Sequence, residues 1–175
     1  MDFIKSPKAI EDKSMDLINP FIMDIDLTPE EVTVYSRMIH ASGDVDYGHL
    51  IQTSQGAVAA GIEALAKGCN IYTDVNMVKA GINKNALHAL GSEVFCRDPE
   101  IAAIAKEKGI ARSMAAMNSF GTDLNGSIIA VGNAPTALYE AIRMVEEDGI
   151  KPALIIGIPV GFVGAADSKE QLVRR

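Results

Sequence analysis

Short, unbroken apolar segments alternate with helix-like segments through the second half of this chain, and this alternation constrains its fold most strongly. Residues 127–131 read Ser-Ile-Ile-Ala-Val, and residues 152–157 form a second run of this kind. The strands of a parallel sheet are buried on both faces, so they appear as continuous apolar runs, and crossover helices must connect them. The pattern therefore predicts βαβ units around a mainly parallel sheet.

The predicted elements extend this pattern over most of the chain. Strands are predicted at residues 70–74, 93–96, 127–131 and 152–157. Helices are predicted at residues 7–19, 29–41, 55–67, 75–80, 98–108, 111–119 and 135–147, with a last helix beginning at Ser168. Thr28, Pro29 and Glu31 form a capping-box start for the second helix, and Asp98 with Pro99 predicts another helix start. We predict one α/β domain over residues 1–175, with three layers and helices on both faces of the sheet.

Charge and composition limit the classes of partner. The chain has 175 residues and a net charge of −7. This charge argues against nucleic acid, because phosphate binding requires a basic surface, and mildly against anionic membranes. No apolar run reaches membrane-spanning length, and the N-terminus lacks a signal-peptide core. Cys69 and Cys96 have no metal-ligand spacing, and we place them in strands as buried thiols. These features predict a cytoplasmic protein.

Arg37 and His40 lie three residues apart on the second predicted helix, so they neighbour each other on its surface. Histidine can exchange a proton near neutral pH, and arginine holds carboxylates in a fixed fork. The two side chains and Thr33 lie opposite an apolar stripe made of Val32, Val34, Tyr35, Met38 and Ile39. A catalytic pair and a merely solvated helix face both fit this pattern, and the solvated face is the commoner case.

A loop after the third predicted strand has the composition of an anion site. Gly132 ends the strand, Asn133 can cap the next helix, and Pro135 lies in its first turn. The free N–H groups of such a turn, together with the helix dipole, favour a carboxylate or a phosphate. A simple strand-to-helix connection fits the same residues equally well.

Three glycines interrupt the loop after the last predicted strand: Gly157, Gly161 and Gly164. Their spacing differs from that of a dinucleotide-binding loop, and no phosphate-binding loop with Gly-Lys-Ser/Thr occurs. Ser168 or Asp167 can cap the following helix. Lys169 would then lie in the first turn, where the helix dipole disfavours a cation, so we expect a ligand or a counter-charge there.

Two further groups carry open alternatives. Arg112 and Ser113 begin a helix and would add a cation to a pocket, although a solvated helix start is the commoner outcome. The three histidines lack metal-ligand spacing; His40 with Asp44 and Asp46 is conceivable as a metal cluster, but a polar helix end and turn is favoured.

These segments together resemble the precorrin-8X methylmutase family, which includes the cobalt-precorrin-8 methylmutases. The matching stretches follow one another in order along nearly the whole chain: residues 10–18, 37–43, 74–78, 111–113, 131–138 and 159–169. The resemblance implies a flavodoxin-like or Rossmann-like fold and a homodimer with substrate sites at or near the subunit interface. Family members usually continue with another strand, a glycine-rich segment and a final helix.

The resemblance also implies an activity. It implies an isomerase of cobalamin biosynthesis that moves a methyl group from C-11 to C-12 of precorrin-8 or cobalt-precorrin-8, giving hydrogenobyrinate or cobyrinate. No external cofactor is implied, and cobalt would arrive only within the substrate. His40 matches the catalytic histidine, and Ser14 and Arg37 match substrate-contacting residues. The other residues assigned to this polycarboxylate tetrapyrrole are Arg112, Ser113, Gly132, Asn133, Thr136, Gly161 and Lys169.

Two rival functions remain open from the sequence. A corrinoid-binding or carrier protein without catalysis would use the same cations and glycine-rich loops. A nucleotide-dependent α/β enzyme would share the fold, but the glycine spacing disfavours it. Turnover separates the first rival from the isomerase, and nucleotide affinity separates the second.

Overall fold

The computed structural model describes residues 3–97 and 101–175. The helices within these ranges are α1 (Pro7–Ile18), α2 (Pro29–Ser42), α3 (Tyr47–Leu50), α4 (Ala57–Ala66), α5 (Asn76–Gly81), α6 (Lys84–Ala89), α7 (Ala102–Lys108), α8 (Arg112–Phe120), α9 (Pro135–Glu146) and α10 (Ala165–Val173). The strands are β1 (Ile71–Thr73), β2 (Val94–Phe95), β3 (Ile128–Val131) and β4 (Leu154–Gly157). Two short 3₁₀ helices cover Asn19–Phe21 and Gly121–Leu124. The chain forms two compact units, Met1–Val58 and Ala59–Arg175.

The first unit is helical, and α2 is its best-defined element. The Thr28 hydroxyl accepts a hydrogen bond from the Glu31 N–H at 3.3 Å, and the Glu31 carboxylate accepts one from the Thr28 N–H at 2.9 Å. This reciprocal pair is the capping box that the sequence predicts. Gly43 ends α2 in the left-handed conformation, with φ of 70°. The core of this unit consists of Ile18, Ile22, Tyr35 and Ile39.

The second unit contains a four-stranded sheet in the order β2-β1-β3-β4, with every neighbouring pair parallel. Ile71 of β1 pairs with Val94 of β2 and with Ile128 of β3, and Ile128 in turn pairs with Leu154 of β4. This order matches the first four strands of the flavodoxin-like arrangement. Its topological switch point lies between β1 and β3, where the chain direction across the sheet reverses.

Helices cover both faces of this sheet, because successive strand side chains point to opposite sides. On one face, Tyr72, Ile129 and Val131 pack with residues of α8 and α9. On the other face, Ile71, Ile128 and their neighbours pack with residues of α4 and α6. The three-layer α/β architecture predicted from the sequence is therefore confirmed.

Several local predictions need correction. Cys69 and Cys96 flank β1 and β2 and do not lie within them. The last helix begins at Ala165, three residues before the predicted start, because Gly164 serves as its N-cap. The sequence interpretation also missed α3 and α6. The helix start predicted at Asp98 and Pro99 lies outside the described residues, and the single domain over residues 1–175 stays a prediction.

Candidate functional site

The exposed face of α2 carries the residues singled out as a proton-transfer and carboxylate-binding pair. Arg37 and His40 are both exposed, as predicted, while Tyr35 and Ile39 are buried in the helical unit. The buried side differs from the predicted apolar stripe at two positions, because Val34 is 37% exposed and Ser36 is buried. One side of α2 therefore packs in the core, and the opposite side exposes Arg37 and His40.

Arg37 has a partner that the sequence did not indicate. Its guanidinium donates a hydrogen bond to, and forms an ion pair with, the Glu11 carboxylate of α1. Ser14 lies three residues after Glu11 on the same helix, and its hydroxyl donates to the Ile10 carbonyl at 2.8 Å. Residues three apart are neighbours on a helix surface, so the ion pair joins the face that carries Ser14 to the face that carries His40. Arg37 remains 60% exposed, which leaves the guanidinium accessible to solutes.

His40 lies in the last turn of α2. Within residues 3–97 and 101–175, its imidazole makes no hydrogen bond or ion pair. The side chain as a whole is exposed. The conceivable metal cluster around it is not assembled, since Asp44 instead accepts the Asp46 N–H at 3.0 Å in a local turn. Across the described part of the chain, no three His, Cys, Asp or Glu side chains converge as metal ligands.

In the second unit, the carboxyl ends of β1 and β3 meet around one buried carboxylate. Asp74 directly follows β1 and is 1% exposed. Its Oδ1 accepts the Gly132 N–H at 3.1 Å, and its Oδ2 accepts the N–H groups of Asn133 at 2.9 Å and Ala134 at 2.6 Å. Burying an unpartnered carboxylate costs on the order of several kcal/mol, and three charge-assisted hydrogen bonds offset that cost. The dipole of α9, which begins at Pro135, favours the same negative charge.

This arrangement corrects the interpretation of the loop after β3. The three N–H groups expected to bind a ligand anion already bind the chain's own carboxylate. The N-cap of α9 is Ala134, and the Asn133 side chain is exposed instead of capping the helix. Gly132 is required for packing, since a Cβ there would lie 2.6 Å from Cγ2 of Val78 on α5.

Ser113 and Thr136, two of the predicted substrate-binding residues, are brought together. Their hydroxyl oxygens lie 2.8 Å apart in a hydrogen bond between α8 and α9. Further along the same helices, the Asn118 side-chain amide donates to Glu140 at 2.7 Å. The two helices therefore run parallel, with their N-termini side by side. Arg112 is the first residue of α8 and is exposed at that end.

The loop after β4 runs beside the loop after β3. The Ile158 N–H donates to the Val131 carbonyl at 2.9 Å, and the Val160 N–H donates to the Asn133 carbonyl at 3.2 Å. Gly161 is exposed with φ of 128°, a conformation that favours glycine. Lys169 is exposed and is the fifth residue of α10, so it lies beyond the first turn, and the dipole argument for a ligand at Lys169 no longer applies.

Two residues of these sites, Glu11 and Asp74, were not predicted as functional residues from the sequence. Glu11 carries no motif that would mark it as the partner of Arg37. Asp74 does carry a signal, because an acidic residue that directly follows a buried strand lies at the ligand-binding edge of a parallel sheet. Its actual partners are 58 to 60 residues away in the chain, however, and no spacing rule identifies them.

Comparisons with known proteins agree over almost the entire chain. A family model described as precorrin-8X methylmutase matches residues 9–175. The cobalt-precorrin-8 methylmutase of Leptospira interrogans is 41% identical over 172 residues, covering 95% of this chain and 78% of that protein. A precorrin-8X methylmutase from a Sinorhizobium species is 40% identical over 173 residues, covering 98% of this chain and 82% of the relative.

The fold comparison gives the same result. A crystal structure of a precorrin-8X methylmutase from Thermus thermophilus superposes with a TM-score of 0.84 at 36% identity, covering 95% of this chain and 82% of that one. No helix in the described ranges combines the length and apolar character that crossing a membrane requires. Fold, motifs and identity thus converge, and the chain belongs to the precorrin-8X methylmutase family as an isomerase of cobalamin biosynthesis.

Proposed function

We propose that this chain moves a methyl group from C-11 to C-12 of precorrin-8 or its cobalt form, with His40 as proton donor and acceptor. The proposal covers the product as well, which is hydrogenobyrinate or cobyrinate. It includes a cytoplasmic homodimer that needs no external cofactor, with cobalt present only as part of the substrate. Sedimentation of the purified chain tests the homodimer.

What carries the proposal is the exposed imidazole of His40, which has no hydrogen-bond or ion-pair partner within residues 3–97 and 101–175 and lies beside the Arg37 guanidinium on the same helix face. The reaction is an isomerisation: the bond from the methyl carbon to C-11 breaks, and a bond from the same carbon to C-12 forms. The conjugated ring changes its bond pattern during this shift. A proton shared with a ring nitrogen stabilises that change, and the same histidine recovers the proton afterwards.

Arg37 supports the proposal as a site for a substrate carboxylate. The substrate carries many carboxylates, whereas the chain has a net charge of −7, so binding must depend on a few local cations. The Arg37 guanidinium is exposed and can hold a carboxylate through two parallel hydrogen bonds. Glu11 occupies part of that hydrogen-bonding capacity, so a substrate carboxylate competes with Glu11 or shares the guanidinium with it.

The remaining substrate contacts are proposed from the second unit. The Ser113–Thr136 hydroxyl pair and the exposed Asn133 side chain offer neutral hydrogen bonds, and Arg112 and Lys169 offer charge. Gly161 lies in an exposed turn where the backbone can approach a flat ligand closely. Gly132 packs against Val78, so its proposed role is to let the turn that carries Asn133 take its place. Ser14 adds a hydroxyl in the helical unit.

The test compares turnover and binding in wild type and His40→Gln. Conversion of precorrin-8 is followed by absorbance, and binding is followed by titration with hydrogenobyrinic acid. We expect His40→Gln to lower kcat by about 10²- to 10⁴-fold, the usual contribution of a general acid–base group, while binding changes little. The matched control is His88→Gln, an exposed histidine on α6, which we expect to keep wild-type turnover.

Two results would contradict the proposal. Wild type that binds the corrinoid but converts no precorrin-8 would indicate a carrier protein. Equal turnover in His40→Gln and wild type would remove His40 from the chemistry and leave the isomerase without its proposed proton donor.

A further inference from the structure

The carboxylate of Asp74 occupies the position, beyond the carboxyl ends of β1 and β3, where a ligand anion often binds in parallel-sheet proteins. Open parallel sheets bind ligands at the switch point, beyond the carboxyl ends of the strands. Successive N–H groups at the start of a helix are a common cradle for phosphate or carboxylate. Here the three N–H groups of residues 132–134 at the start of α9 are all directed at the Asp74 carboxylate. The cradle is thus filled by a side chain that is almost completely buried.

The turn that Asp74 holds is connected to other segments of the proposed substrate site. The Asn133 carbonyl accepts the Val160 N–H of the loop after β4. Two residues further along, Thr136 is hydrogen bonded to Ser113 at the start of α8. Gly132 lies against Val78 of α5 without room for a Cβ. A displacement of this turn would therefore move the Asn133 side chain and the Ser113–Thr136 hydroxyl pair together.

We propose that Asp74 is a positioning residue for substrate binding. Its carboxylate fills the cradle at the start of α9, which keeps substrate carboxylates out of that cradle. It also fixes the turn so that Asn133, Ser113 and Thr136 are aligned for the ligand. This inference deepens the proposed function and rests on it, because these three residues are among those proposed to contact the corrin precursor.

The test removes the Asp74 carboxylate from the three N–H groups of residues 132–134 and supplies a small anion in its place. Asp74→Ala removes the carboxylate, and sodium formate supplies a carboxylate of matching size, with sodium chloride at equal ionic strength as the reference. We expect formate, in a saturable manner, to raise the thermal unfolding midpoint of Asp74→Ala and not that of wild type. This readout requires no corrinoid, so it does not depend on the proposed function.

The second readout is the affinity for hydrogenobyrinic acid. We expect Asp74→Ala to bind this corrinoid about tenfold more weakly than wild type, because Asn133, Ser113 and Thr136 are no longer held in alignment, and formate to restore most of that affinity. The matched control is Asp123→Ala, an exposed carboxylate that pairs with Arg97 in the same unit. We expect the control to show neither the loss nor the response to formate.

The outcomes separate this inference from the proposed function. Wild type that fails to bind hydrogenobyrinic acid contradicts the proposed function, whatever formate does. Wild type that binds it while Asp74→Ala binds equally well or more tightly overturns the positioning role. If Asp74→Ala does not fold, Asp74→Asn replaces it. This variant keeps the side-chain shape but loses one acceptor, so weaker corrinoid binding supports the inference and unchanged binding overturns it.

Discussion

At the scale of single residues, the two proposed functional groups have opposite surroundings. His40 is exposed and has no partner within the described residues, whereas Asp74 is buried and accepts three hydrogen bonds. A group that must approach a substrate needs the first environment, and a group that holds backbone in place needs the second. Substitution of His40 should therefore affect chemistry without affecting folding, while substitution of Asp74 should affect substrate binding and folding.

The stability of His40→Gln tests this distinction directly. The His40 side chain is exposed and makes no hydrogen bond or ion pair within the described residues, so we expect the free energy of unfolding to change by less than about 0.5 kcal/mol. Urea denaturation of the purified variant measures that change. A loss of more than about 2 kcal/mol would instead mark His40 as a structural residue.

Glu11→Gln tests whether Arg37 is shared between the chain and a ligand. Removing the competing carboxylate frees the guanidinium, so we expect tighter binding of hydrogenobyrinic acid, with a gain that shrinks as salt is added. The pair is exposed on both sides, so stability should change by less than about 1 kcal/mol. Absorbance titration at two salt concentrations provides the measurement.

The control for this variant is Glu170→Gln, which breaks the exposed pair between Glu170 and Arg174 on α10. We expect it to leave corrinoid affinity unchanged. Weaker binding in Glu11→Gln would show that Glu11 helps to hold the ligand and does not compete with it.

At the scale of elements, a helix start is predictable where several capping residues act together, as at α2, and is missed where a single residue caps the helix, as at α6 and α10. The start of α2 was predictable because Thr28, Pro29 and Glu31 act within one turn. The start of α10 was not, because a glycine in the left-handed conformation is its N-cap, and Ser168, expected as the cap, instead donates to the Ala165 carbonyl inside the helix.

Thr28→Ala measures what the capping box contributes to stability. It removes the acceptor for the Glu31 N–H, so we expect a loss of about 1 kcal/mol in the free energy of unfolding. Thr33→Ala is the matched control on the same helix. Its hydroxyl bonds only to the Pro29 carbonyl, and alanine is the better helix former, so urea denaturation should show no loss. Equal losses in both variants would contradict the capping assignment.

Gly132→Ala tests the close approach between the loop after β3 and α5. The added Cβ overlaps the Val78 side chain, so we expect a loss of about 1–3 kcal/mol in stability. Combining it with Val78→Ala relieves the overlap, and the double variant should lose less than the sum of the two single losses. Gly81→Ala serves as control because a Cβ there meets no neighbour within 4 Å. Additive losses in urea denaturation would show that Val78 does not cause the strain.

At the scale of the whole molecule, the sequence predicts the parallel sheet well because the same kind of apolar pattern recurs from strand to strand. Burial of both faces produces the apolar runs at β3 and β4, and crossover helices follow from parallel pairing. The contacts that define the two sites are of another kind. The pairs Arg37–Glu11 and Asp74–Gly132 join residues 26 and 58 positions apart, and each depends on one geometry that no periodicity encodes.

The free energy of unfolding should fall at alkaline pH because Tyr72 ionises more readily in the unfolded chain than in the folded one. Burial raises the pKa of the Tyr72 hydroxyl in the folded chain, and its ring packs on Phe95 and Phe120. In the unfolded chain a tyrosine has a pKa near about 10. The stability that Tyr72 contributes is therefore complete below about pH 10 and is lost as the pH rises through the folded-state pKa.

Tyr72→Phe isolates this effect. We expect the free energy of unfolding to fall less between pH 8 and pH 11 in the variant than in wild type, as measured by urea denaturation at each pH. Tyr47→Phe, which replaces an exposed tyrosine of the helical unit, should follow wild type. An identical fall in wild type and Tyr72→Phe would show that Tyr72 does not contribute to the alkaline loss.

The position of the migrating methyl group itself shows whether this chain catalyses the shift and whether His40 takes part in it. Precorrin-8 labelled with ¹³C in the C-11 methyl is incubated with wild type and with His40→Gln, and the position of the label is determined by NMR. We expect wild type to transfer the label to C-12 and His40→Gln to leave nearly all of it at C-11 over the same time. A label that stays at C-11 with wild type, or that reaches C-12 equally fast with His40→Gln, would contradict it.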